Sequence, residues 1–221
     1  MNSDRLEQIK LNLRSNALNK RKEGLDELAT ISPEIALPVL QELAKDDNFA
    51  LRRIAVMGLG DRVTEESFKI LQQILRTEQD SSVLAEAANS LFEFGEKAIA
   101  PLQELFVQSD NWLVRQTIIS ILVDSNNPDV LLKVVQLALV DRDQTTKETG
   151  ILALSRLLNT DLKQQALNIF SVLAQDDYWR TRWRTAIALT ASENIQARNL
   201  LAQLQQDDNY RVVAAALDKP R

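Results

Sequence analysis

One recurrence constrains this chain more than any other feature. Arg21, Arg52, Leu84, Arg115, Lys147, Arg182 and Val213 occupy equivalent places in a repeating pattern, with spacings of 31, 32, 31, 32, 35 and 31 residues. A period of that length marks a stacked repeat architecture, in which each unit buries its apolar face against its neighbours. Other columns keep the same register. Sixteen residues before the anchor stand Ala36, Phe68, Ile99, Leu131, Ala166 and Ala197; thirteen before it, Val39, Leu71, Leu102, Val134, Ile169 and Leu200; nine before it, Leu43, Leu75, Phe106, Ala138, Leu173 and Leu204. Steps of three and four residues place these apolar side chains on one face of a helix, the first (A) helix of each copy.

A second (B) helix contains the anchor itself. Immediately before the anchor come Leu51, Val83, Val114, Thr146, Thr181 and Val212, and three after it Ala55, Ala87, Ile118, Gly150, Thr185 and Ala216. Seven after it come Leu59, Leu91, Leu122, Leu154 and Leu189, with Pro220 in the last copy. Small residues in mid-helix allow close approach of a neighbour, which accounts for Gly150 despite its helix cost of about 1 kcal/mol relative to Ala. Asn48, Asp80, Asn111, Asp143 and Asn209 share a column suited to N-capping the B helices. Ser32-Pro33 and Asn127-Pro128 read as cap plus proline at the start of A helices, and Pro38 and Pro101 fall inside them. The 35-residue spacing predicts an inserted turn around Leu157 to Leu162. The terminal copies are degenerate, as capping repeats require.

The predicted fold is therefore all-α: a right-handed α-α superhelix of about seven helix pairs in a single domain. The pairs fall approximately at residues 1–31, 32–61, 62–94, 95–125, 126–158, 159–190 and 191–221.

Composition narrows function by exclusion. The chain has no Cys and no His, so thiol nucleophiles, thiolate or imidazole metal sites and Ser-His-Asp catalysis are absent. Neither a metal nor a cofactor is expected. Twenty-six Lys and Arg stand against 31 Asp and Glu, a net charge of −5, which disfavours nucleic acid and anionic membranes as partners. No signal core or membrane-length apolar run is present, so a cytoplasmic protein is expected.

The unit Asp46-Asp47-Asn48-Phe49-Ala50-Leu51-Arg52-Arg53-Ile54-Ala55, closing on Leu59, resembles the short HEAT-like repeat of the phycobilisome lyase and phycobilisome-degradation group. The resemblance covers essentially the whole chain. It implies an α-solenoid whose B helices line the concave face. It also implies one of two activities: attachment or removal of bilins on phycobiliproteins, or an adaptor role in antenna turnover. No bilin-handling motif is matched residue by residue, so no catalytic residue is assigned.

Candidate binding residues lie on the B helices. Phe49, Trp112, Trp179 and Tyr210 stand three before the anchor, and Arg53 and Trp183 one after it. Positions four apart share a helical face, so Trp179 and Trp183 adjoin. Aromatic and Arg side chains there would form a partner-binding groove; packing of the aromatics against the inter-helix loops would account for them equally. The anchor Arg residues read as an inter-repeat ladder with Asp46, Asp80, Asp141, Asp143 and Asp176.

One copy exceeds the needs of the repeat. Trp179-Arg180-Thr181-Arg182-Trp183-Arg184 interleaves two Trp with three Arg. Arg180 and Arg184 suit an acidic partner, a tetrapyrrole propionate or a nucleic-acid phosphate; alternatively they pair with Asp176, Asp177, Asp207 and Asp208. The function expected is a non-catalytic adaptor holding another protein, such as a phycobiliprotein or other photosynthetic component. The alternatives are a bilin lyase or isomerase subunit and, more remotely, a relative of the HEAT-like alkylpurine DNA glycosylases.

Overall fold

A computed structural model describes residues 3–190 and 192–218 of the chain. Met1, Asn2, Pro220 and the chain end at Arg221, which enter the sequence argument, lie outside the described residues. Among the described residues the regular structure is helical throughout. The helices come in pairs joined by short loops: α1 (Ser3–Leu13) and α2 (Leu18–Ala29), α3 (Pro33–Leu43) and α4 (Phe49–Gly60), α5 (Glu65–Thr77) and α6 (Ser81–Phe92), α7 (Glu96–Gln108) and α8 (Trp112–Val123). They continue as α9 (Pro128–Leu139) and α10 (Gln144–Leu154), α11 (Lys163–Leu173) and α12 (Trp179–Thr190), α13 (Ile195–Leu204) and α14 (Tyr210–Leu217).

The packing forms two compact units, residues 1–118 and 119–221, with the division falling inside α8. In the first unit α4 packs against both α2 and α6; in the second, α12 packs against both α10 and α14. Each unit is thus built on B helices stacked directly on B helices. The B-helix columns explain this. Leu51, Val83, Val114, Thr146, Thr181 and Val212 are buried, as are the small residues three after the anchor and every described leucine seven after it. Burying one such leucine contributes about 1.5–3 kcal/mol. A Cβ on Gly150 would stand 2.8 Å from the Cβ of Ala138 on α9, so the glycine is what lets α9 and α10 close.

The A-helix columns are buried with three exceptions: Phe68, Ile169 and Leu173 are half-buried. The last two have a cause. The inserted turn is a 3-10 helix over Ser155–Asn159 that buries Leu157 and Leu158. It delivers α11 rotated by one position, so that Ala166, Leu167, Phe170 and Ala174 form the buried face in place of Ile169 and Leu173.

Asn48, Asp80, Asn111, Asp143 and Asn209 all accept backbone N–H groups from the first turn of their B helices. Ser32 makes no side-chain cap bond, contrary to the expectation; its hydroxyl instead faces Glu34, helping to hold that carboxyl below its ordinary value after the backbone bond at Glu34 itself.

Two anchor arginines, Arg52 and Arg182, form a clamp whose carboxylates, Glu78 and Asp207, are not among the acids anticipated. Arg52 donates through Nε and Nη2 to both oxygens of Glu78, at 2.7 and 3.0 Å, and through Nη1 to the carbonyls of Asp46 and Asp47. Arg182 repeats this with Asp207, at 2.6 and 2.9 Å, and with the carbonyls of Asp176 and Asp177. Asp46 and Asp176 therefore contribute backbone oxygens to the clamp. Asp80 and Asp143 cap helices, and the Asp141 side chain accepts the N–H of Asp143. The reason is reach: a guanidinium in the first turn of a B helix spans to the loop of the next pair, where Glu78 and Asp207 sit. Arg21 and Arg115 direct Nε to the carbonyls of Ser15 and Phe106.

Candidate interaction groove

The most unusual surface belongs to the second unit. Tyr178 occupies the column that carries Asn or Asp N-caps in five other copies, so α12 begins with an aromatic where a capping side chain would stand. Omitting a cap costs about 1 kcal/mol. In exchange, the rings of Tyr178 and Trp179 lie 6.3 Å apart, and those of Trp179 and Trp183, one turn on, also 6.3 Å apart. Trp179 and Trp183 are half-buried and Tyr178 is exposed.

Beside this stack, α12 and α14 enclose a groove of about 690 Å³. Its walls carry Trp179, Trp183 and Ile187 from α12 and Tyr210, Arg211 and Ala214 from α14. The α12 residues follow from helical spacing of four, which aligns them in one stripe. That volume lies within the range of ligand pockets, about 300–1,000 Å³.

The charges divide sharply. Glu148 of α10 is 5% exposed and receives Arg180 at 2.8 Å on one oxygen and Arg184 at 2.7 Å on the other, with Gln144 donating as well. Burial alone would push the Glu148 carboxyl up; the guanidinium bonds from Arg184 and Arg180 outweigh it and hold the group below its ordinary value. Arg180 and Arg184 are therefore spoken for, by Glu148 rather than by Asp176, Asp177, Asp207 or Asp208. Arg184 also lies 4.4 Å over the Trp183 ring.

Arg211 differs. Its guanidinium lies 5.2 Å from the Trp179 ring centre and 5.6 Å from that of Tyr210, and its Nε donates to the Tyr210 hydroxyl at 3.0 Å. It makes no ion pair among the described residues.

The model of HEAT repeats matches residues 9–92 and 73–155, most of the chain. The chain belongs to the HEAT-repeat family.

Among solved structures, this HEAT-repeat chain is similar to YibA of Escherichia coli, at 16% identity and a TM-score of 0.65, over 97% of this chain and 80% of that one. It is also similar to the complex of CpcE and CpcF of phycocyanin lyase from Nostoc sp. PCC7120, at 17% identity and a TM-score of 0.49, over 95% and 85% of the two chains. An archaeal HEAT-like repeats protein from Thermococcus onnurineus NA1 gives 18% identity and a TM-score of 0.47, over 95% and 94%. At such identities the likeness is one of fold. No curated protein matches the chain. Among the described residues, no helix is long and apolar enough to cross a membrane.

Of the residues singled out from the HEAT-repeat pattern, the structure gathers Trp179, Arg180, Trp183, Arg184 and Tyr210 in the second unit. Phe49, Arg53 and Trp112 stand in the first. Phe49 and Trp112 are each about half exposed, at 50% and 46%, and Arg53 pairs with Glu86 at 2.8 Å. Tyr178, Glu148 and Arg211 were missed. Two of them carried a signal: Tyr178 breaks the cap column, and Tyr210-Arg211 repeats Trp179-Arg180 in register.

Proposed function

We propose that the chain is a non-catalytic adaptor that holds a segment of a partner protein in the groove between α12 and α14. One observation carries the reading. Trp179, Trp183 and Tyr210 are brought together on a surface that the fold does not require to be aromatic: Ser81 and Gln144 fill the column of Trp179, and Ala85 and Gln116 that of Trp183. Clustered aromatics in a partly desolvated groove are what most often carries interface energy. The HEAT fold supports the same role, since stacked helix pairs present extended surfaces to partners. The resemblance of the repeat unit to the phycobilisome group makes a phycobiliprotein the first partner to try, and assembly or turnover of that antenna the setting we propose.

The test is calorimetric titration of a purified partner against wild type and Trp183→Ala. The expected result is at least a tenfold loss of affinity, about 1.4 kcal/mol, with the helical circular dichroism and melting temperature retained. Equal affinity in a folded variant overturns the reading. Transfer of a bilin to an apo-phycobiliprotein in the same mixture would replace it with a lyase.

A further inference from the structure

The register of the repeat accounts for Arg211 making no ion pair among the described residues, and this points to what the groove reads. Arg180 and Arg211 stand at the same place in successive copies, two residues before the anchor. The place facing Arg180 is one residue after the anchor in the preceding copy, and there it finds Glu148. The same place in the next step of the array is Trp183. Where the register offers Arg180 a carboxylate, it offers Arg211 an indole, and the Arg211 guanidinium lies instead over the rings of Trp179 and Tyr210.

Those rings and the Tyr210 hydroxyl hold the guanidinium at the solvent-facing side of the groove, where it makes no ion pair among the described residues. A guanidinium stacked on aromatic faces keeps its terminal N–H groups free to bind a planar anion through two parallel bonds. We infer that Arg211 reads a single carboxylate on the segment that occupies the groove, so that the occupant is an acidic residue flanked by a bulky apolar one. This rests on the groove reading above.

The charge count selects a carboxylate over a phosphate. Arg180 and Arg184 are engaged by Glu148, leaving Arg211, among the described residues, as the groove cation with no acid partner, and Asp218 also lines the groove. With Asp218 beside it and a chain of net charge −5, Arg211 can answer a single carboxylate through its two parallel N–H groups, whereas a polyanion would be repelled. The apolar neighbour follows from Trp183, Ile187 and Ala214 on the same walls.

The experiment is selection of a random heptapeptide display library on the immobilised full chain, run in parallel on wild type, Arg211→Gln and Trp183→Ala. Wild type should enrich peptides with one Asp or Glu beside a large apolar residue. Arg211→Gln should keep the apolar preference and lose the acidic one. For a synthesised winner followed by tryptophan fluorescence, replacing its acid by the amide should cost wild type at least tenfold in affinity and Arg211→Gln less than twofold.

Enrichment of apolar peptides with no acidic preference, or equal losses in both proteins, overturns the carboxylate inference and leaves the groove reading standing. Displacement by a poly-dT oligonucleotide or inorganic phosphate at concentrations where acetate is inert also overturns it, in favour of a phosphate ligand. No enrichment over Trp183→Ala removes both.

Discussion

The pairs α3–α4 and α11–α12 are the same object built to two purposes. Both open the B helix after an Asp-Asp turn. Both clamp the anchor arginine with a bidentate carboxylate from the next pair, Glu78 in one case and Asp207 in the other, and with two carbonyls of the turn. Both point a stripe outward at spacing four, Phe49, Arg53 and Met57 in one and Trp179, Trp183 and Ile187 in the other.

They part at the positions the clamp leaves free. The first keeps its cap, Asn48, and its outward arginine pairs singly with Glu86. The second gives up the cap for Tyr178 and gathers two arginines on a buried glutamate. What recurs in both pairs builds the repeat; what differs between them is available for binding.

If that division is right, the clamps should be interchangeable in their effect. Arg182→Ala and Arg52→Ala each leave a carboxylate whose side chain is only 7–8% exposed without its arginine, and each should cost about 3 kcal/mol in urea denaturation. Neither should alter the selectivity of the groove. A large cost at one site and a negligible one at the other would mean that the two clamps are not equivalent.

A smaller effect follows from acid. The Arg182 guanidinium bond holds the Asp207 carboxyl from its ordinary 3.8 down to about 2. A carboxylate whose folded value is depressed adds stability above its unfolded value and loses it as the proton binds. The contribution, roughly 2 kcal/mol, is thus complete above pH 4 and vanishes between pH 4 and 2. Asp207→Asn should flatten the stability profile across that window. A profile of unchanged slope would show that the clamp does not govern it.

The smallest effect should come from Arg53→Ala. Arg53 is half-exposed and pairs with a single carboxylate oxygen, so its loss should cost less than about 1 kcal/mol and shrink further in salt. A loss as large as that at Arg52 would erase the distinction between clamp and surface.

The sequence by itself determined the helices, their pairing, the caps of the B helices and nearly all of the core, while the A-helix caps expected at Ser32 and Asn127 make no side-chain cap bond. Each of these is a local or periodic property: apolar spacing of three and four residues, an Asn or Asp before a helix, a small residue where two backbones meet. It failed first at Ile169 and Leu173, because a 3-10 turn changes the angle at which the next helix enters, and a column count cannot see rotation. It failed again in choosing partners for charge.

Glu78, Asp207 and Glu148 all lie more than twenty-five positions from at least one arginine they bind, or at that distance, and each was one acid among 31. Only stacking one B helix on the next brings a given carboxylate within a guanidinium's reach. That same stacking leaves Arg211 over Trp179 and Tyr210 with no ion pair among the described residues. Periodicity decides which side chains face outward; the approach of neighbouring helices decides which of those charges are already satisfied.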